Sequence, residues 1–230
     1  MSKKNRSSKA NAERPLSSRS IVAATVVILV VALIAAAVLY ENEDALPLQS
    51  EAMTRQAALA SDHSPTLGDP GAKVHIVEFL DPACGTCALF FPMVKQWMAE
   101  APPDKLRLSV RLVAFHSGSD YAVRILEASR KQDKFWQTLE ALLASQNQWV
   151  LNHIVQQDRV LPAIAGLGLN MDQLVADMNT LEVMQRIEQD KKDAVFLKVS
   201  ATPEYFVNGR PLPSFGQQQL LDLVREELQK

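Results

Sequence analysis

The sequence predicts an α/β fold: a small sheet interrupted by a long helical insertion and preceded by one N-terminal transmembrane helix. Three observations carry that reading. Residues 72–112 run strand, helix, strand; residues 119–195 hold helical spacing nearly throughout; and residues 21–40 contain neither a charge nor a proline. A strand-helix-strand start favours a parallel crossover, and a block of about 75 residues is too long for a simple connection.

Residues 1–20 form a basic tail. Six Lys and Arg stand there against Glu13, about +5 in a chain whose net charge is -2, so the remainder is acidic. The near-neutral total gives no hint of a nucleic-acid partner. The run IVAATVVILVVALIAAAVLY occupies 21–40. As a helix, at roughly 1.5 Å per residue, it spans the roughly 30 Å hydrocarbon core of a bilayer. A buried core helix would keep a polar face, and this run has none. Basic flanks stay cytoplasmic, and Glu41, Glu43 and Asp44 follow the run. The expectation is a single-pass inner-membrane protein with its N-terminus in the cytoplasm and its body in the periplasm. A cleaved signal peptide is the competing reading. Its apolar core runs only about 7–15 residues, although Ala35, Ala36 and Ala37 offer a cleavage site. On either reading the body is exported, to a compartment where disulfides persist.

Residues 41–71 read as a linker, broken near its end by the prolines and glycines of HSPTLGDPGAK. The folded body is expected over 72–230. KVHIVEFL has the β-rich pattern of a buried strand. ALFFPMVKQWMAEA is helical in pattern and ends at Pro102 and Pro103. KLRLSVRLVAF alternates, with Leu106, Leu108, Val110 and Leu112 on one face and Arg107, Ser109 and Arg111 on the other. That pattern predicts a half-buried strand. Within the block at about 119–195, Phe135, Trp136, Leu139, Leu142 and Leu143 recur at helix spacing. GLGLN then breaks the run, with Asn170 as N-cap of the next helix. PEYFVNGRPLP reads as strand, Asn-Gly turn, strand, and a terminal helix over 217–228 closes the chain.

Both cysteines, Cys84 and Cys87, lie in FLDPACGTCALFFP. A structural zinc site needs about four ligands, and His63, His75, His116 and His153 are scattered. No metal or other cofactor is expected. A disulfide across so short a loop removes little chain entropy, so a purely stabilising bridge is disfavoured and redox exchange is favoured. A strand runs into Cys84 and a helix begins there, which sets its sulfur at a helix N-terminus where N–H groups favour a thiolate. Cys87 falls one turn later, able to reach back and shielded by Phe90 and Phe91. Asp81 reads as a turn residue, because Asp-Pro favours turns; His116, ending the second strand, reads first as a polar residue at a loop start, with a place on the same face as Glu78 as the alternative. Two other classes stay open: a redox-inert tethered interaction module, and a Cu(I)-handling protein, since soft thiolates suit that ion.

Four features in order resemble the DsbA-like branch of the thioredoxin superfamily, over about residues 72–228. They are CGTC after a strand; Glu78 six residues before Cys84; Pro92 five residues after Cys87; and ATPEYFVNGR with Thr202 and Pro203. The resemblance implies a thioredoxin fold with a helical insertion, acting as a thiol:disulfide oxidoreductase on exported cysteine-containing clients. It implies Cys84 as nucleophile, Cys87 as resolving thiol and Glu78 as a buried acid that moves protons. It also implies a cis Thr202-Pro203 bond beside the cysteines, with Thr202 free to pair with a client's extended chain. A membrane redox partner would recycle the pair. Gly85 and Thr86 tune the potential: no histidine lies between the cysteines, so Cys84 should be less acidic than in the family's strongest oxidants, with the Thr86 hydroxyl a weaker substitute. Ala83 stands where reducing thioredoxins usually carry tryptophan. The expected order is therefore oxidase, then isomerase, then reductase.

Overall fold

The computed structural model describes residues 26–34, 54–59 and 61–230. The chain divides into a unit over 1–52 and a unit over 53–230. In the first, residues 26–34 are helical with their apolar side chains exposed. The expected basic tail and the remainder of the 21–40 anchor lie outside the described residues. Among the described residues, no helix is long and apolar enough to cross a membrane.

In the second unit, β1 (Thr66–Gly68) and β2 (Val74–Leu80) precede α1 (Gly85–Glu100) and β3 (Leu106–Leu112). The inserted block holds α2 (Ser119–Ser129), α3 (Phe135–Ala144), α4 (Gln146–Trp149), β4 (Val150–Leu151), β5 (Ile154–Val155), α5 (Gln157–Ile164), α6 (Met171–Asp177) and α7 (Leu181–Phe196). The chain ends with β6 (Glu204–Val207), β7 (Arg210–Pro211) and α8 (Gln217–Gln229). The main sheet runs β1-β3-β2-β6-β7. β2 and β3 are parallel, joined by α1 as the sequence predicts, and the other pairings are antiparallel. Asn208 and Gly209 take positive φ at the β6–β7 turn, the geometry that makes Asn-Gly a hairpin signal. Asn170 caps α6, its side chain accepting from Gln173 N at 3.0 Å.

Side chains alternate across β2, and each set finds its own core. Ile76 and Leu80 join Leu108, Val110, α1, α8 and most inserted helices in one cluster. Val77 and Phe79 join Phe206, Ala194, Leu197 and the helical segment 54–59 in a second. The sheet is therefore covered on both faces, which corrects the expectation of a half-buried β3. Arg111, assigned to the polar face, is wholly buried. Its Nε donates to Asp190 Oδ1 at 2.8 Å, and it also bonds Asp193 and the carbonyl of Ala58. Asp190 accepts as well from Leu112 N at 2.9 Å and pairs with His63 at 2.6 Å. A polar residue on an alternating strand faces water only if nothing covers it, and here α7 brings carboxylates to cover it.

Two further differences are local. Residues 66–68, within the expected linker, form the edge strand β1, with Thr66 opposite Ser109; the ordered body thus reaches back before residue 72. The inserted block also contains the small β4–β5 pair, too short to interrupt a helical pattern in the sequence.

Candidate active site

β2 ends at Leu80, and Asp81 turns the chain. Ala83 N donates to Asp81 Oδ1 at 2.8 Å, and Cys84 N to Asp81 O at 3.0 Å. Cys84 is the N-cap of α1, in extended conformation and with no side-chain cap bond. The helix's first N–H groups are thus left for the sulfur rather than for a capping oxygen. Both cysteines are free thiols; Cys84 is 6% exposed and Cys87 wholly buried. Thr202-Pro203 is cis, and the Cys84 thiol donates to Thr202 O at 3.2 Å across 118 residues of sequence. The structure therefore brings Cys84, Cys87, Thr202 and Pro203 to one place, as the sequence resemblance implies. Gly85 and Thr86 open α1 beside them.

The two sulfurs are pushed apart in acidity. Cys84 is lowered to about 5, chiefly by a hydrogen bond from the Cys87 thiol. Burial opposes this, while the Thr202 side chain and the backbone N–H groups of Cys87 and Thr86 reinforce it. Thr86 thus contributes through its backbone, and the side-chain donors are Cys87 and Thr202, not the Thr86 hydroxyl that the sequence suggested. Cys87 is pushed far up, first by burial, then by its bond to Cys84 and by the Glu78 charge. One sulfur is ready as a thiolate, and the other holds its proton until a base takes it.

Glu78 lies on the same face of β2 as Ile76 and Leu80, paired across the strands with Tyr205. It is wholly buried, so the solvent-facing placement open to a strand glutamate does not occur. Burial pushes its carboxyl up to about 8. The Tyr205 hydroxyl partly offsets that, yet stops short of a full hydrogen bond, and both carboxyl oxygens lack a hydrogen-bond partner. The folded protein therefore keeps a proton that the unfolded chain, with its carboxyl at 4.5, releases. Stability falls as pH rises from about 4.5 to about 8, by roughly 3 kcal/mol at pH 7 for this one group. Glu78→Gln is expected to flatten that slope and to be the more stable protein at pH 8, read by urea unfolding of the disulfide form at several pH values. A variant that loses stability between pH 5 and 8 as steeply as the wild type would remove Glu78 as the titrating group.

Three side chains complete the site, and two of them, Gln146 and His153, have no signal in the local sequence. Gln146, at the start of α4, donates from Nε2 to Pro82 O at 2.9 Å and Cys84 O at 3.0 Å. His116 reaches Asp81 through Nδ1 at 2.9 Å, and His153 lies near it with ring centroids 6.3 Å apart. On one side of Cys84, His116, Gln146, Asn147 and His153 line a groove of about 580 Å³. On the other, Thr86, Thr202, Pro203, Leu212 and Phe215 line one of about 440 Å³. Leu89 and Phe215 are 75% and 54% exposed at these rims. Of the aromatics expected to shield Cys87, Phe91 is buried, whereas Phe90 is half-buried and packs on Phe215 and Tyr205. Among the described residues, no group of three or more His, Cys, Asp or Glu is placed to hold a metal ion.

A family model described as thioredoxin matches residues 60–225. A thioredoxin-like oxidoreductase from Silicibacter pomeroyi DSS-3 superposes with a TM-score of 0.64 at 30% identity, over 75% of this chain and 96% of that one. The probable disulfide bond formation protein D of Bacillus anthracis is 28% identical over 179 residues, 72% of this chain and 78% of that protein. The Na(+)/H(+) antiporter NhaA of Herminiimonas arsenicoxydans is 31% identical over 145 residues, which are 63% of this chain but 22% of the antiporter. The chain thus spans about a fifth of the length of that relative.

Proposed function

This chain belongs to the thioredoxin family, and on that premise we propose that it is a membrane-anchored, periplasm-facing oxidase of protein thiols. It is a protein thiol:disulfide oxidoreductase of DsbA-like build, with a helical insertion between the halves of the sheet. The observation that carries the oxidase direction is the place of Cys84 at the N-cap of α1, with no side-chain cap, where the Cys87 thiol, the Thr202 side chain and the backbone N–H groups of Thr86 and Cys87 lower its pKa to about 5. Stabilising the Cys84 thiolate stabilises the reduced enzyme, and a dithiol that prefers its reduced form passes its disulfide to others.

The client is an exported protein with reduced cysteines. Its extended chain lies along Thr202 and Pro203, in the groove that Phe215 and Leu212 make apolar. The client thiolate attacks Cys84, and Cys87 leaves into a dry pocket where Glu78 supplies the proton. A membrane redox partner re-forms the disulfide. The run at 21–40, with its basic flank, supports an inner-membrane tether, and tethering raises the effective concentration of two membrane-bound partners. Neither an inert interaction module nor a Cu(I)-handling protein calls for a proton-handling carboxyl buried beside the resolving thiol.

Equilibration with glutathione tests the direction. A potential between roughly -200 and -120 mV is expected, more oxidising than thioredoxin at roughly -270 mV. A value near the thioredoxin one overturns the oxidase reading in favour of a reductase. A value at the upper bound means that the Thr202, Cys87 and backbone donors replace the missing histidine in full.

A further inference from the structure

The exchange just proposed leaves the client's own proton unassigned, and His116 is built to take it. Asp81 is wholly buried. Its Oδ2 accepts from the N–H of Phe115 at 2.7 Å, the N–H of His116 at 2.8 Å, His116 Nδ1 at 2.9 Å and the Ser119 hydroxyl at 3.1 Å. A carboxylate only accepts, so Nδ1 carries the ring proton and, in the neutral imidazole, Nε2 keeps a lone pair. Nδ1 faces the buried carboxylate. The opposite nitrogen therefore faces outward, toward the groove that His116 lines together with Cys84, Gln146, Asn147 and His153.

We propose that His116 is a catalytic base for the client's thiol, with Asp81 as its positioning residue. The inference rests on the oxidoreductase reading and deepens it. An ordinary cysteine, near pKa ~8.5, is only a few per cent thiolate at neutral pH. Nε2 takes the S–H proton as the client sulfur attacks Cys84. The new bond joins client sulfur to Cys84 Sγ, the Cys84–Cys87 bond breaks, and its electron pair goes to Cys87, which is protonated from Glu78. His116 then passes its proton to solvent. A second client thiolate displaces Cys84, which leaves as a thiolate. The client has lost two electrons and two protons, one proton reaching solvent through His116 and the other directly; the enzyme has gained two electrons and, on Cys87, one proton, which Glu78 recovers from solvent. In the reverse direction the imidazolium returns the proton to the departing client sulfur. The titratable groups facing the ring are Asp81 from the end of β2, Cys84 from the start of α1 and His153 from the β4–β5 turn.

The test uses the full-length oxidised protein and two probes: a reduced fluorogenic dicysteine peptide, and an aryl thiolate already ionised at pH 7. His116→Asn keeps a donor toward Asp81 but removes the base. Its rate with the peptide is expected to fall about 10- to 30-fold at pH 7 and to converge on the wild type by pH ~9.5, where the peptide ionises unaided. The aryl thiolate should react equally with both proteins, and free imidazole should restore part of the peptide rate in His116→Ala. Equal losses at every pH and with both probes make His116 a loop anchor and overturn the proposal, as does no loss at all. A wild-type protein that oxidises neither probe overturns the oxidoreductase reading instead.

Discussion

On the proposed oxidoreductase reading, Cys84→Ser is expected to lose disulfide exchange by more than about a thousandfold, and Cys87→Ser to accumulate a covalent adduct with its client. The first follows from the nucleophile. A thiolate at about 5 is present in full at neutral pH, whereas a serine hydroxyl there has neither the ionisation nor the affinity for sulfur that exchange needs. Loss of a covalent nucleophile typically leaves only binding and positioning. The second follows from the roles of the pair. Cys84 still attacks a client disulfide, its thiolate held by the Thr202 side chain and the backbone N–H groups, but a hydroxyl at position 87 cannot displace it. Non-reducing electrophoresis after incubation with a disulfide-containing protein reads both. An adduct through Cys87 in the Cys84→Ser protein, or none through Cys84 in the Cys87→Ser protein, would exchange the two roles.

Arg111→Ala is expected to cost about 3–5 kcal/mol of stability. The guanidinium is wholly buried and holds two carboxylates and one carbonyl. Removing it strands Asp193 without its cation and leaves Asp190, 2% exposed, with only the His63 ring and the Leu112 N–H. The penalty is that of unpaired buried charge, not the net worth of the ion pairs, which can be small. Replacing all three groups together, as Arg111→Met with Asp190→Leu and Asp193→Leu, should therefore recover much of the loss. Urea denaturation of the single and triple variants measures this. A single variant within about 1 kcal/mol of the wild type would show that water reaches the cluster.

The same cluster marks where sequence reading stops. β2, α1 and the Asn-Gly hairpin were legible because each is declared by residues within one turn or one strand of it. The polar face of β3 was misread because an alternating strand looks the same whether that face meets water or meets carboxylates; Asp190 lies 79 residues beyond Arg111. Gln146 is equally remote, 62 residues from the carbonyl of Cys84 that it holds. The cysteine pair and the position of Glu78 were readable from the motif and its resemblance. The donors that acidify Cys84 were not, because Thr202 competes with Thr86 for that part only in three dimensions. Asp81 was read as a turn residue and is one, but the turn also gathers Phe115, His116 and Ser119, which no local pattern announces.

The strand order has a consequence in time. β2 lies at the centre of the sheet, and one of its two neighbours, β6, is made only after the whole insertion. Thr202 emerges 118 residues after Cys84, roughly 6 to 24 s later at a synthesis rate of about 5–20 residues per second. On the proposed function, the nascent protein would for that interval be a substrate before it is a catalyst: without Tyr205 or Pro203 beside them, its two thiols would be open to an oxidant or to an already folded copy of itself.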